Sequence, residues 1–294
     1  MTQALHYETV SEHVVRFELP TPTLPPLEST NTYVVYHGAQ AIVIDCGSSD
    51  HALIEQVASW MRERGISDVI AYVATHYHID HTQGIPLLSA HFPAPIYVHP
   101  MDHTGAAKAM QCTTDVLQCP PDSLVVGDVS IEISHTPGHT HGHLHLWMER
   151  DRLMFVGDHM SGQGTVWIGP PDGHMEDYYA ALTQIEQSDA NFVLPGHGPT
   201  ISSPQAASRE LRLHRLAREQ EILSLLEEAP KTTDQLVDLI YGDRGLGAAL
   251  WVAKHTVQAH LARLIDLGQV ERHCAAPDFQ MRYARHTPQE GSHL

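Results

Sequence analysis

Cysteine is scarce in this chain. Cys46, Cys112, Cys119 and Cys274 are the four among 294 residues, too few for a disulfide scaffold and too scattered for a zinc knuckle or a redox pair. They read as buried thiols. Basic side chains are also sparse, with 17 Lys and Arg against 35 Asp and Glu and a net charge of −18. No stretch approaches the roughly 18 uncharged apolar residues of a membrane span. The opening MTQALHYETVSE has neither the basic start nor the apolar run of a secretory signal, so no membrane partner and a cytoplasmic location are expected. Low complexity is absent too: 42% hydrophobic and 18% charged residues describe a chain that folds. Histidine is the excess, with 24 copies.

The length suits one large domain and one small one. From residue 1 to 203 short β-rich runs alternate with amphipathic helices and Gly/Pro turns, a layered α/β pattern. NTYVVYHG and AIVIDCG look like successive strands. HALIEQVASWMRERG looks like a helix with Leu53, Ile54, Val57 and Met61 inward and Gly65 as its stop, and VIAYVAT like a buried strand. APIYVHP, VSIEIS, HLHLWME, RLMFVGD and NFVLPG supply further strands, and MEDYYAALTQIEQ a helix. At Ser203-Pro204 the texture changes. Serine suits an N-cap and proline the first helical position. A leucine-rich helix follows to about Ala229, its leucines expected against the first domain, and Pro230 halts it. TTDQLVDLIYG, AALWVAKHTVQAHLARLIDLG and a VERHCAAPDFQMRYARH hairpin then give three helices and a hairpin, the order of a winged helix. The expected division is a catalytic domain, 1–203, and a small α+β domain, 204–294. Charge divides nearby: residues 206–294 carry 11 basic and 12 acidic side chains, so the acidity belongs to the first unit.

Directly after VIAYVAT comes THYHIDHTQG, with His76, His78, Asp80 and His81 inside six positions. Alternate residues of an extended segment point the same way, so His76 and His78 can bite one cation, while the turn that follows can aim Asp80 and His81 at a neighbouring point. Imidazole and carboxylate suit zinc, manganese or iron. Three more donors stand on Gly-rich turns at strand ends: His139 in HTPGHTHGH, Asp158 in FVGDHMSG and His197 in LPGHGP.

In order and context these segments resemble the five metal motifs of the metallo-β-lactamase superfamily, over nearly all of residues 1–200. The resemblance implies an αββα sandwich with two divalent metal ions, zinc foremost, at one edge of the sheets. His76, His78 and His139 would hold one ion, Asp80, His81 and His197 the other, and Asp158 would bridge both. Thr30-Asn31-Thr32-Tyr33, Gly162-Gln163-Gly164-Thr165, DGHMEDYYAAL, PGHGP and LHRLAREQEIL are similar to the beta-lactamase-like hydrolases that carry a C-terminal winged helix. Cys46 stands where threonine is frequent in the IDxG turn, and His159 follows the bridging aspartate; neither departure removes a ligand.

Coordinated cations lower the pKa of water from 15.7 to about 7 and grip a developing oxyanion, so hydrolysis is the implied reaction. Asp80 would orient the nucleophile and pass a proton to the leaving group. Of the other histidines, His143 and His159 are candidates to support or line the site. His141 and His145 read as packing or surface, His99, His135 and His174 stand near the motifs in sequence without being expected to touch substrate, and Ser161 and Gln163 read as candidate donors to a substrate oxygen.

A small-molecule thioester, ester or lactone is the expected substrate, as in hydroxyacylglutathione hydrolases and acyl-homoserine lactonases of the same ligand pattern. Only Arg16, Arg62, Arg64, Lys108, Arg150 and Arg152 are basic before residue 205, a surface that repels a phosphate backbone. The competing reading is a metal-dependent nuclease that holds RNA or DNA with the winged helix, as an endoribonuclease among such relatives does. The presumed recognition helix offers only Lys254, Arg263, His255 and His260 to it. A third is a metal-binding effector without turnover. The winged helix is expected to pack against the cleft or to mediate a homodimer.

Overall fold

The structure, a computed structural model, describes residues 5–24, 27–242, 247–274 and 279–286. Two β-sheets lie face to face. The first runs in chain order through β1 (His6–Ser11), β2 (Val14–Pro20), β3 (Ser29–His37), β4 (Gln40–Ile44), β5 (Asp68–Val73), β6 (Ile96–Tyr97) and β7 (Leu117–Gln118). Pairing is antiparallel as far as β4 and parallel from β4 to β7. Parallel neighbours need a crossover, and α1 (His51–Glu63) supplies the one between β4 and β5. Asp50 caps α1 by accepting from the Ala52 and Leu53 amides. Leu53, Ile54, Val57 and Met61 face inward as the sequence predicts, and the chain turns away at Gly65 with φ of +76°. APIYVHP yields only a two-residue strand, Ile96–Tyr97.

The second sheet has the order β12-β11-β10-β9-β8, from β8 (Ser123–Val126), β9 (Val129–His135), β10 (Leu144–Met148), β11 (Leu153–Gly157) and β12 (Phe192–Pro195). Three layers of apolar contact follow. Between the sheets, Tyr33, Val35, Ile42, Ile44 and Val73 meet Ile131, Leu146, Phe155 and Leu194. Outside the first sheet, Phe17, Val43 and Tyr72 meet Ile54, Val57 and Met61 of α1, with Ala106 and Met110 of α4 (His103–Met110). Outside the second, Val156 and Val193 meet Tyr178, Leu182 and Ile185 of α5 (Met175–Gln187). Helix, sheet, sheet and helix layers follow from strands that are apolar on both faces.

The long α6 (Pro204–Glu228) is followed by α7 (Thr233–Tyr241), α8 (Leu250–Asp266) and the antiparallel pair β13 (Val270–Cys274) and β14 (Met281–Arg285). The connection at 275–278 in the expected hairpin lies outside the described residues. Thr232 and Gln235 close α7 with a capping box.

Three expectations change. Ser203 occupies the N-cap position of α6 but makes no side-chain cap bond, because its φ of −137° and ψ of 62° aim the hydroxyl away from the first turn. The leucines of α6 divide: Leu211 and Leu216 pack toward α5, while Ile222, Leu223 and Leu226 join a separate cluster with α7 and α8, and Leu213 is exposed. Polar groups do much of the work against α5 and its neighbours, with Ser208 Oγ donating to Leu182 O at 2.6 Å and Arg215 Nη2 to Val166 O at 2.5 Å. Of the cysteines only Cys46 is buried; Cys112 is partly covered and Cys119 and Cys274 are exposed. Among the described residues no helix is long and apolar enough to cross a membrane.

Candidate metal centre

All seven ligand candidates converge at one end of the sandwich. β5 ends at Val73, and the extended chain after it carries His76 and His78 to the start of the one-turn α2 (Ile79–Thr82), which holds Asp80 and His81. His76 Nε2 and His139 Nε2 each lie 3.0 Å from His78 Nδ1. His81 Nε2 lies 3.3 Å from His197 Nε2, and Asp80 Oδ2 is 3.5 Å from that same nitrogen. Asp158 stands between the two groups, with Oδ1 3.4 Å from His81 Nε2 and Oδ2 3.4 Å from His197 and 3.7 Å from His139. The β10–β11 hairpin returns Asp158 beside His139, as the sequence suggests.

The partners of the outer ring nitrogens fix the tautomers, and with them what the inner nitrogens can do. His139 Nδ1 donates to Trp167 O at 2.8 Å, His197 Nδ1 to Ser29 O at 2.7 Å and His81 Nδ1 to Asp45 Oδ2 at 2.8 Å. Thr75 Oγ1 spends its proton on Asp45 Oδ2 and so accepts from His76 Nδ1. Four imidazoles whose Nδ1 atoms are bonded outward therefore aim Nε2 inward, toward each other and the carboxylates of Asp80 and Asp158. Donor atoms so placed repel unless a cation or shared protons stand among them. The donor set fits divalent metal. His76, His78 and His139, then His76, His81 and Asp158, then Asp80, His81 and His197 each bring their ligand atoms within 4.8 Å.

With no cation between them the charges respond in opposite directions. Burial and neighbouring imidazoles push His76 and His78 well below the usual histidine range. Burial also opposes a charged His81, but Asp158, Asp45 and Asp80 outweigh it and raise its pKa well above that range; Asp158 does the same, less strongly, for His197. Burial works against ionising Asp158, yet His197 and His81 hold it well below the ordinary carboxylate.

The sequence did not reveal the residues that orient these ligands. Asp45 grips the β5 exit through Thr75 N at 2.7 Å as well as Thr75 Oγ1 and His81. Its positive φ of 55° is a conformation aspartate tolerates better than most residues. Asp102 joins the loops of His78 and His139, accepting from Tyr77 N at 3.1 Å, Thr140 Oγ1 at 2.9 Å and Gly142 N at 2.9 Å. Asn31 Nδ2 and Tyr33 Oη donate to Pro195 O, and Asn31 and Arg16 to Gly198 O, so β2 and β3 pin the His197 turn. A Cβ on Gly196 would sit 2.5 Å from Asp158 Oδ1 and 2.6 Å from His81 Cε1; only glycine lets that turn approach. The IDCG turn was visible as a motif, but nothing local marks Asp45 as a histidine partner.

Of the remaining candidates, His143 Nε2 accepts from Asp158 N at 3.2 Å and so supports that residue. His159 is fully buried behind the centre, with Nδ1 2.6 Å from His145 Nε2, and does not line the cavity. His145 is buried and His141 exposed. His99 stacks on His135, and His174 caps α5, away from the cavity. Ser161 Oγ is within reach of Gln163 O at 2.7 Å and His197 O at 3.4 Å, whereas Gln163 reaches the cavity wall.

That cavity has a volume of about 300 Å³, and His78, Asp80, His139, Asp158 and His197 line its floor. Its walls include Leu24 and Leu27 from the β2–β3 connection, Trp167, and Ala249, Trp251 and Val252 at the start of α8. The groups on α8 that a nucleic acid would need are otherwise engaged. Lys254 pairs with Asp234, Arg263 with Glu176 and Glu219, His260 is buried on Glu219 and His255 stacks on Trp251.

Comparison with known proteins agrees with this geometry. A family model described as Metallo-beta-lactamase superfamily matches residues 25–197. A Beta-lactamase-like protein 2 homolog of Caenorhabditis elegans is 28% identical over 92% of this chain and 90% of its own. An Atrochrysone carboxyl ACP thioesterase of Aspergillus chevalieri is 28% identical over 80% of this chain and 75% of its own. Among solved structures, a Beta-lactamase domain protein from Burkholderia ambifaria superposes with a TM-score of 0.80 at 21% identity, covering 95% of this chain and 93% of the other, a likeness of fold.

Proposed function

The chain belongs to the metallo-β-lactamase superfamily, and on that premise we propose that it is a dinuclear metal-dependent hydrolase of a small-molecule thioester, ester or lactone. In this reading His76, His78 and His139 would hold one ion and Asp80, His81 and His197 the other, with Asp158 placed to serve both. In this reading residues 1–203 carry the chemistry and 204–294, winged-helix-like, wall the cleft. Zinc is the first choice, with manganese or iron compatible with the same donors. The observation that carries the reading is the inward convergence of four Nε2 atoms, oriented by Thr75, Asp45, Trp167 and Ser29, on two carboxylates at the floor of one cavity.

Bound divalent ions supply a Lewis acid and lower the pKa of water toward neutrality. The chain's own residues do the rest. Asp80 faces the cavity and takes the proton released as water adds to the acyl carbon. When the carbon–sulfur or carbon–oxygen bond breaks, Asp80 returns that proton to the leaving atom, so the products are a carboxylic acid and a thiol or alcohol. Asp45 and Trp167 O hold His81 and His139 at fixed angles, so no reorganisation is required as charge develops. Thioester leads among the three bonds because several relatives bear the name thioesterase.

The test is elemental analysis of purified protein together with a panel of thioester, lactone, aryl ester, phosphodiester and single-stranded RNA, with wild type and Asp80→Asn. Two metals per chain and acyl hydrolysis that falls at least a hundredfold in Asp80→Asn support the reading. Phosphodiester-only turnover, steeply weakened by salt, overturns it.

A further inference from the structure

We infer that the wall contributed by Trp167 and Trp251 is an acyl pocket for an uncharged, flat, aryl-type group, which narrows the substrate of the proposed hydrolase and rests on that reading. Trp251 on α8 is 49% exposed, Ile79 48% and Leu24 42%, all three on the same cavity. Large apolar side chains left open together beside a polar floor mark a place where apolar surface is to be covered. The occupant reaches the candidate metal centre because both share one cavity.

Aromatic rings order this wall. Trp167 and Trp251 have centroids 5.0 Å apart, and Trp251 lies 4.2 Å from the His255 ring. Trp167 also runs within 23° of parallel to His78 at 6.3 Å. The position of the Trp167 indole depends on Gly169, where a Cβ would stand 2.7 Å from its Nε1. A flat ring stacked here gains up to about tenfold in affinity beyond its buried area, which a flexible aliphatic chain of equal area does not. Trp167 also accepts the His139 hydrogen bond through its carbonyl, so the residue that would stack the acyl group borders the centre where its carbonyl carbon reacts.

Charge selects in the same direction. Among the described residues no lysine or arginine lines the cavity, whose polar wall groups above the floor are Thr23, Gln163 and Thr165. The nearby cations of α8 are bound to Asp234, Glu176 and Glu219. A carboxylate or phosphate on the acyl group would find no partner on these walls. This disfavours both a succinyl-like acyl chain and an RNA strand laid across the tryptophans.

The experiment compares N-acetylcysteamine thioesters of 2-naphthoate, acetate and succinate on metal-loaded protein, and follows quenching of tryptophan fluorescence by 2-acetonaphthone, an uncharged ketone that is not hydrolysed. The expected result is a kcat/KM for naphthoyl at least tenfold above acetyl and succinyl. In Trp251→Ala that ratio should fall at least tenfold and the quenching be lost, with Trp251→Phe restoring most of both. Metal-dependent turnover of all three thioesters without this preference, or a preference that Trp251→Ala leaves intact, overturns the pocket and leaves the hydrolase reading standing. Quenching that depends on Trp251, with no acyl substrate turned over, sinks the hydrolase reading while the ring site survives. Displacement of the ketone by single-stranded RNA overturns the assignment to an acyl group.

Discussion

Asp45 Oδ2 lies 2.8 Å from His81 Nδ1, a pair buried to within 2% of full coverage on both sides. The same oxygen accepts from Thr75 Oγ1, whose own oxygen receives His76 Nδ1. One carboxylate thus orients two inward-facing imidazoles, His81 directly and His76 through Thr75.

Replacing Asp45 should therefore disturb metal binding without removing a ligand. Asp45→Ala is expected to weaken affinity by about 10–100-fold, the usual effect of losing such a partner. Competition with a chromogenic chelator measures it, and unchanged affinity in a folded variant would refute the role. Asp45→Asn should be milder, since its amide oxygen can still accept one bond.

Metal removal has its own signature. In cation-free protein the converging donors have only protons on His81 and His197 to offset Asp158 and Asp80, so it should be less stable than loaded protein. Ligand at a hundredfold above its Kd adds about 2.7 kcal/mol. Chelation should lower Tm measurably and re-addition of zinc restore it. His139→Ala should retain at most one metal per chain by elemental analysis; two would place the ion elsewhere.

Acid should unfold the protein through its buried neutral histidines, and His145 gives the sign. Burial pushes its pKa down to about 3, while the unfolded chain titrates at about 6.5. Between these values the unfolded state binds a proton that the folded state does not. The stabilising difference is present above about pH 6.5 and declines as pH falls toward 3, by roughly 1.4 kcal/mol per unit. Urea unfolding of wild type and His145→Leu at pH 7 and pH 5 tests this: the variant should lose less stability on acidification, and equal losses would contradict it.

The side chains that converge at the candidate centre were legible because metal chemistry restricts residue types and because strand ends place them: H-x-H-x-D-H follows β5, and Asp158 and His197 follow β11 and β12. The sheet layers were legible from apolar runs flanked by Gly and Pro. Asp45, Asp102 and Trp167 were not. An aspartate 36 residues before its histidine or 40 before Gly142 looks like any acidic residue until the fold closes. Trp167, in a segment read only as loop, acts on His139 through a carbonyl that every residue has. Helix α8 was read as a recognition helix from its order in the chain, but which face it turned, and that Trp251 would meet the cavity, depended on packing against α5 and α6.

Asp102 offers a separable test of how the loops are held. Its carboxylate satisfies two backbone amides and one hydroxyl, and burial raises its pKa despite those bonds. Asp102→Ala leaves them without a partner, at about 1–3 kcal/mol each if water does not enter. A fall in Tm together with weaker metal binding is expected, since the loops of His78 and His139 lose their common anchor. A fall in stability with metal affinity unchanged would show that each loop holds its own shape.

Glu219 of α6 is where the C-terminal helices are fastened, and it argues most directly for a fixed α8. Its Oε1 accepts from Tyr179 Oη of α5 at 2.9 Å and faces His260 Nδ1 at 3.1 Å, while Oε2 takes Arg263 Nη1 of α8 at 2.6 Å. The side chain is almost wholly buried, so removing it leaves Tyr179 and His260 without this acceptor and Arg263 with Glu176 and the Tyr179 ring as partners. Leaving such buried groups unsatisfied costs about 1–3 kcal/mol each. Glu219→Ala should lower Tm strongly. Because α8 also carries Trp251 to the cavity, binding of an aromatic ketone should weaken along with it, at temperatures where the protein is still folded. Glu219→Gln keeps an acceptor for Tyr179 and should lie between the two. If Glu219→Ala proved destabilised but bound the ketone as wild type does, α8 would be held by Trp167 and the apolar contacts of Ala259 and not by this network.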